Sequence, residues 1–287
     1  MIMKGKIFRK DDDANEEAIY KILGSHPRIV HYLGTDDHTG EIMLPLLQNG
    51  DLFSYLISHT NIPIAARLTW AVEIVQGLAH LHARDVIWAD PHLCNILLTD
   101  EYHVVLCDFG LSIHNAPYYY KFARGPPPIY LCPLGYYGES PRRVDIFGLG
   151  IILFVLLSER FPFLEDLKPS IHQQFEVLQE HHRICLNGGS FDMLSPSLHP
   201  YFGDIVAKCF NIKYQSADVL LTELQAAFSK WWEDNIENIH DVPSSVAVNY
   251  PQKPVYLPIE VVQHKVYTPE PWVPQANNGD DEYGYEN

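Results

Sequence analysis

The chain has 287 residues, 47% hydrophobic and 20% charged, a balance that allows one large globular domain or two small ones and excludes a fibre or a wholly disordered chain. Its net charge of −16 argues against nucleic acid and anionic membrane surfaces as partners, since both would repel it. The five cysteines are odd in number and scattered, which points to a reduced intracellular thiol set, and the fifteen histidines show no ligand spacing with a Cys or Glu partner. No secretory leader is expected from the opening residues, and the longest near-apolar run, residues 146–157, is twelve residues where a bilayer needs about twenty. That run predicts a buried core helix.

Residues 1–9, MIMKGKIFR, alternate enough to predict a strand, with Ile2 and Lys4 on one face and Lys6 sharing it. Asp11, Asp12 and Asp13 supply acids for the positive end of a helix and Gly24 supplies a stop, which predicts a helix over 13–23. Ile19, Tyr20 and Leu23 face its core side; Glu16 lies one turn before Ile19 on that side, with Glu17 as the alternative and a solvated glutamate as the plainer reading. Residues 41–47, EIMLPLL, predict a strand that contains Pro45 and runs out at Leu47, and Asp51 follows a turn where a helix N-cap would stand. Residues 65–84 carry Leu68, Ala71, Val72, Val75, Leu78, Ala79 and Leu81 at the spacing of an amphipathic helix.

The next stretch organises the rest. Asp90 is followed five places later by Asn95, and thirteen places after that by Asp108 in Asp108-Phe109-Gly110. Between them, Ile96-Leu97-Leu98 and Val104-Val105-Leu106 flank polar Thr99-Asp100-Glu101, which predicts a β-hairpin of buried strands. The hairpin returns the chain on itself, so Asn95 and Asp108 should lie side by side and offer an amide oxygen and a carboxylate to one point, as Mg²⁺ prefers. Beyond Gly110 the chain is too proline-rich for regular structure; residues 201–209 and 216–232 then predict closing helices. From Glu233 on, ten acids face two bases, and seven prolines fall between Pro243 and Pro274: a disordered acidic tail suited to docking a partner.

Asp-x-x-x-x-Asn, a hairpin and Asp-Phe-Gly in this order resemble the catalytic and metal-binding loops of the protein kinase superfamily. The resemblance implies a bilobal α+β kinase-like fold: a truncated N-lobe and hinge over 1–47, a helical C-lobe over 48–232, and the tail over 233–287. It implies transfer of the ATP γ-phosphoryl group to a protein hydroxyl, Ser/Thr in preference to Tyr, with ATP and Mg²⁺ as cofactors and a cytoplasmic or nuclear location. Asp90 would then handle the substrate proton, and Asn95 and Asp108 the metal. Lys4, ahead of Lys6, would pair with Glu16 on the phosphates; the Pro45 carbonyl and Leu47 amide would hold adenine, and Asp51 the ribose. Asp145 would tie down the catalytic-loop backbone.

Several positions depart from the family pattern. No G-x-G-x-x-G precedes the strand at 1–9, which keeps open a pseudokinase, a scaffold that binds nucleotide weakly or not at all. Trp88-Ala89 stands where the family has His-Arg, so control through a phosphorylated activation segment is not expected in its usual form. His92 stands where Ser/Thr kinases carry Lys and is similar to small-molecule phosphotransferases of the aminoglycoside type, a further alternative. Leu134 and Tyr214 together replace a buried Glu–Arg pair, which can leave stability unchanged where loss of one partner would not.

Overall fold

The computed structural model describes residues 10–116, 125–133 and 142–239. The strand expected over 1–9, with Lys4 and Lys6, lies outside them, as do Leu134 and residues 240–287 of the tail.

Helix α1 (Lys10–Leu23) starts three residues before the expected position and ends at Gly24, which takes the left-handed conformation (φ 62°) and returns its N–H to Tyr20 O at 3.0 Å. Ile19, Tyr20 and Leu23 are its buried face, as the periodicity predicts. The strand expected over 41–47 shrinks to β2 (Ile42–Met43), paired antiparallel with β1 (Gly34–Thr35). Pro45 lacks an N–H and disfavours continued pairing, so residues 44–47 run on as an unpaired connection. Asp51 caps α2 (Leu52–Ser58).

Helix α3 (Ile64–Ala83) is buried on almost every side and packs against the last helix, α7 (Ala217–Ile239). After it come β3 (Val86–Ile87), then β4 (Ile96–Leu98) and β5 (Val104–Leu106), joined as the expected hairpin in the register Ile96↔Leu106, Leu97↔Val105, Leu98↔Val104. The hairpin lies on α3 at Gly77, where a Cβ would come within 2.8 Å of Leu106 Cδ1. Strand β6 (Ile113–His114) returns to pair with β3.

Helix α4 (Arg143–Ser158) is the buried centre that the apolar run predicts, with residues 144–157 all buried. It approaches the loop after β3 at Gly148, where a Cβ would run into the Pro91 ring, and packs on α6 (Asp204–Phe210). Between them α5 (Ile171–Asn187) starts from a capping box of Ser170 and Gln173. Helix α7 continues seven residues past the expected boundary at 232, so Glu233 and Asp234 belong to a helix. Among the described residues no helix is long and apolar enough to cross a membrane.

Candidate active site

Asp90 and Asn95 sit in the loop between β3 and β4. The Asn95 amide donates from Nδ2 to Asp90 O at 3.1 Å and to Asp90 Oδ2 at 3.0 Å. Since those acceptors claim the NH₂ end, the amide oxygen of Asn95 is the end left for a cation. Cys107 N donates to Asn95 O at 3.0 Å, which holds the hairpin exit, and so Asp108, against the Asn95 backbone. Asp108 adopts a left-handed backbone (φ 59°), uncommon for a residue with a Cβ and maintained only where the surroundings fix it.

Helix α1 supplies part of that fixing. Glu16 is buried, and its Oε1 accepts from Phe109 N at 3.0 Å. The Phe109 ring meets Tyr20 edge-on at 5.1 Å, and Asn15 Nδ2 donates to Ser112 O at 3.0 Å. A Cβ placed on Gly110 would lie 3.6 Å from Asp108 Oδ1 and 3.8 Å from Glu16 Oε2, so both carboxylates border that glycine. Glu17, the alternative to Glu16, instead binds Lys21, Tyr32 and Thr35 on the outer side.

Beneath the loop stands Asp145, wholly buried in the first turn of α4. Its carboxylate accepts from Trp88 N and Ala89 N, both at 2.8 Å, and from His82 Nε2 at 3.0 Å, the tethering role the family resemblance implies. Burial holds His82 below its ordinary value despite Asp145, so the ring is neutral and its Nε2–H donates. Ala89, like Asp108, is left-handed (φ 67°), and its bonded amide lies where the strain is stored.

His92 Nε2 lies 3.4 Å from Asp90 Oδ2. Burial works against the charged ring, but the neighbouring Asp90 carboxylate outweighs it and raises the imidazole to about 9, while the buried Nδ1 has no hydrogen-bond partner among the described residues. A cation therefore stands beside Asp90 at neutral pH, in the place of the family's lysine.

At the expected hinge, neither the Pro45 carbonyl nor the Leu47 N–H is used by another backbone group among the described residues. Asp51 is an N-cap: its carboxylate accepts from Ser54 N and Ser54 Oγ, each at 2.8 Å. Tyr214 is buried and its hydroxyl reaches Glu223 Oε2 at 2.7 Å, so this position keeps a polar bond of its own.

One cluster escaped the sequence reading. Glu73, fully buried on α3, accepts from Val104 N at 3.0 Å, lies 2.6 Å from His103 Nδ1 and binds Arg28 at 2.8 Å; Arg28 in turn donates to Gln76. It pins the hairpin and the turn after α1 to the same helix. The available signal is a glutamate set between the apolar pairs Ala71-Val72 and Ile74-Val75.

The donor set, an amide oxygen and a carboxylate brought together by a hairpin, suits a hard cation that takes its other ligands from phosphate and water. Among known proteins, the chain is 31% identical over 163 residues to a mouse cAMP-dependent protein kinase catalytic subunit, covering 56% of this chain and 45% of the relative. It is 27% identical over 180 residues to a probable cAMP-dependent protein kinase catalytic subunit of Encephalitozoon cuniculi, covering 61% and 55%. Protein kinase 2 of Dictyostelium discoideum is 30% identical over 181 residues, covering 59% and 38%. The chain thus spans about half, or less, of the length of the curated relatives it matches. The protein kinase domain model matches residues 2–216, most of the chain, and the chain belongs to the protein kinase family.

Proposed function

We propose that the chain is an ATP-dependent serine/threonine protein kinase acting in the cytoplasm or nucleus. The observation that carries this reading is the convergence of Asp90, Asn95 and Asp108 on one loop and hairpin, anchored from below by Asp145. Asp90 orients the substrate hydroxyl; as that oxygen bonds to the γ-phosphorus, Asp90 accepts its proton, the bond to the bridging oxygen breaks and ADP leaves. The His92 cation beside Asp90 favours the anionic γ-phosphate at that place. Asn95 and Asp108 would hold Mg²⁺, which supplies charge neutralisation on the phosphates when bound. Lys4 with Glu16 would hold the α- and β-phosphates, Pro45 O and Leu47 N the adenine, and any oxygen lone pair Asp51 retains beyond its cap the ribose. In this reading residues 1–47 form the small lobe and hinge, 48–239, to the end of α7, the large lobe, and 240–287 an appended tail.

Purified chain given Mg·ATP and a generic protein substrate should transfer phosphate to Ser or Thr, with Asp90→Asn lowering the rate by about 10²–10⁴. Millimolar Mg·ATP should also raise the melting temperature, since it binds only the folded state. The absence of any shift would remove the nucleotide and leave a scaffold.

A further inference from the structure

Residues 109–112 carry the chain from Asp108 to β6, and α1 meets this short segment with two neighbouring side chains of opposite chemistry. Glu16 Oε1 accepts from Phe109 N at 3.0 Å. Asn15 Nδ2 donates to Ser112 O at 3.0 Å and to Gly110 O at 3.3 Å, so the two hydrogens of one amide serve two carbonyls. Asn15 is exposed and sits inside a helix, where asparagine is a weak former because its amide competes for backbone groups. Here that amide bonds a backbone outside its own helix.

Ser112 continues the connection inward. Its side chain is buried; Oγ donates to Trp88 O at 2.9 Å, and its N–H donates to Phe109 O at 3.0 Å. Trp88 stands two residues before Asp90, and its own N–H donates to Asp145 at 2.8 Å. The Ser112 hydroxyl therefore ties the chain leaving Asp108 to the chain entering the loop of Asp90 and Asn95. Strand β6 alone could not hold this register, since it pairs with β3 over two residues. On the near side, Cys107 N donates to Asn95 O at 3.0 Å, so the left-handed Asp108 lies between one tether behind it and another ahead. We propose that Asn15 and Ser112 are positioning residues that together set the separation of Asn95 from Asp108, and through it the fit of the site to its cation. Both side chains are engaged with backbone carbonyls, so they act through the loops. The proposal rests on the assignment of Asn95 and Asp108 to Mg²⁺ under the proposed function.

Two substitutions in the full chain test it. Asn15→Asp is nearly isosteric and replaces the donor by a carboxylate that Gly110 O and Ser112 O repel; Ser112→Ala removes only the hydroxyl. Without nucleotide, hydrogen exchange at the amides of 109–112 should quicken about tenfold in either variant. The Mg²⁺ concentration that gives half of the ATP-induced rise in melting temperature should also increase about tenfold. In phosphoryl transfer, KM for Mg·ATP should rise by more than kcat falls. Lys21→Gln, on the outer side of α1, should change none of these. Side chains that served stability alone would lower the melting temperature and leave the Mg²⁺ requirement where it is; that result, or unchanged exchange in both variants, overturns the proposal while the kinase reading stands. A wild type that gives no Mg·ATP shift at all removes the cation assignment itself, and the proposal with it.

Discussion

His82 and His181 are shut off from solvent to the same degree, 1% and 0% exposed, and their surroundings are opposite. His82 donates to Asp145, which also holds the amides of Trp88 and Ala89 just before Asp90, so its burial is part of a bonded cluster that shapes the candidate site. His181 on α5 is ringed by Phe147, Phe163, Phe191 and Phe210 with centroids 5.4–5.7 Å away, and neither ring nitrogen has a partner among the described residues. One region uses buried polarity to fix geometry, and the other tolerates it among aromatic packing. Burial alone therefore says little about a titratable group; the bonds it makes decide whether it orders a structure or weakens it.

The largest test removes the centre of the bonded cluster. Asp145→Ala leaves Trp88 N, Ala89 N and His82 Nε2 without their acceptor in a dry interior, and each orphaned donor costs about 1–3 kcal/mol. A destabilisation of at least about 3 kcal/mol is expected in urea unfolding, together with loss of the proposed phosphoryl transfer as the strained Ala89 relaxes and moves Asp90. A variant that kept wild-type stability would show that the cluster orders nothing.

The second test sets the acid behaviour of the other region. Burial lowers His181 from an ordinary 6.5 to about 4, against the weaker opposing pull of Glu180 on its own helix and Asp192 from the loop that follows. Between those values the unfolded chain binds a proton that the folded chain refuses, so this group's share of stability is intact above about 6.5 and is lost as the pH falls towards 4. The full effect is about 3 kcal/mol. His181→Leu should flatten the fall in unfolding free energy between pH 6.5 and 4 relative to wild type; parallel curves would mean that the ring is already charged or solvated.

What the sequence allowed one to read follows the same division. Asp90, Asn95 and Asp108 could be placed because a short hairpin of two apolar runs sets their meeting, and local chemistry determines a hairpin. Helix α4 could be read from its uninterrupted apolar residues. Glu73, Arg28 and His103 could not be joined in advance, because they come from three separate elements and only tertiary packing brings them together. Helix α5 was missed for another reason: Ile171, Phe175 and Leu186 are exposed while His181 is buried, so its outward apolar residues and inward polar one blur the pattern that betrays a surface helix. Strands β3 and β6 are two residues each, too short for any period to show.

The smallest effect is the sharpest comparison, because one substitution is expected to act with opposite sign in the two regions at neutral pH. In His82→Leu the isobutyl group fills much of the ring's space and removes the unpartnered Nδ1, but it withdraws the Nε2–H from a buried carboxylate; a hydrogen bond to a charged group contributes about 1.5–3 kcal/mol, so the variant should still be less stable, by about 1 kcal/mol. In His181→Leu no bond is lost, and two ring nitrogens that went unsatisfied are replaced by carbon among four phenyl rings, so the variant should gain about 1 kcal/mol, less whatever the aromatic edge contacts contributed. Urea unfolding of both at pH 7.5 reads the signs directly. If both variants lose stability alike, the bonds to Asp145 add nothing beyond packing, and shape alone would account for both histidines.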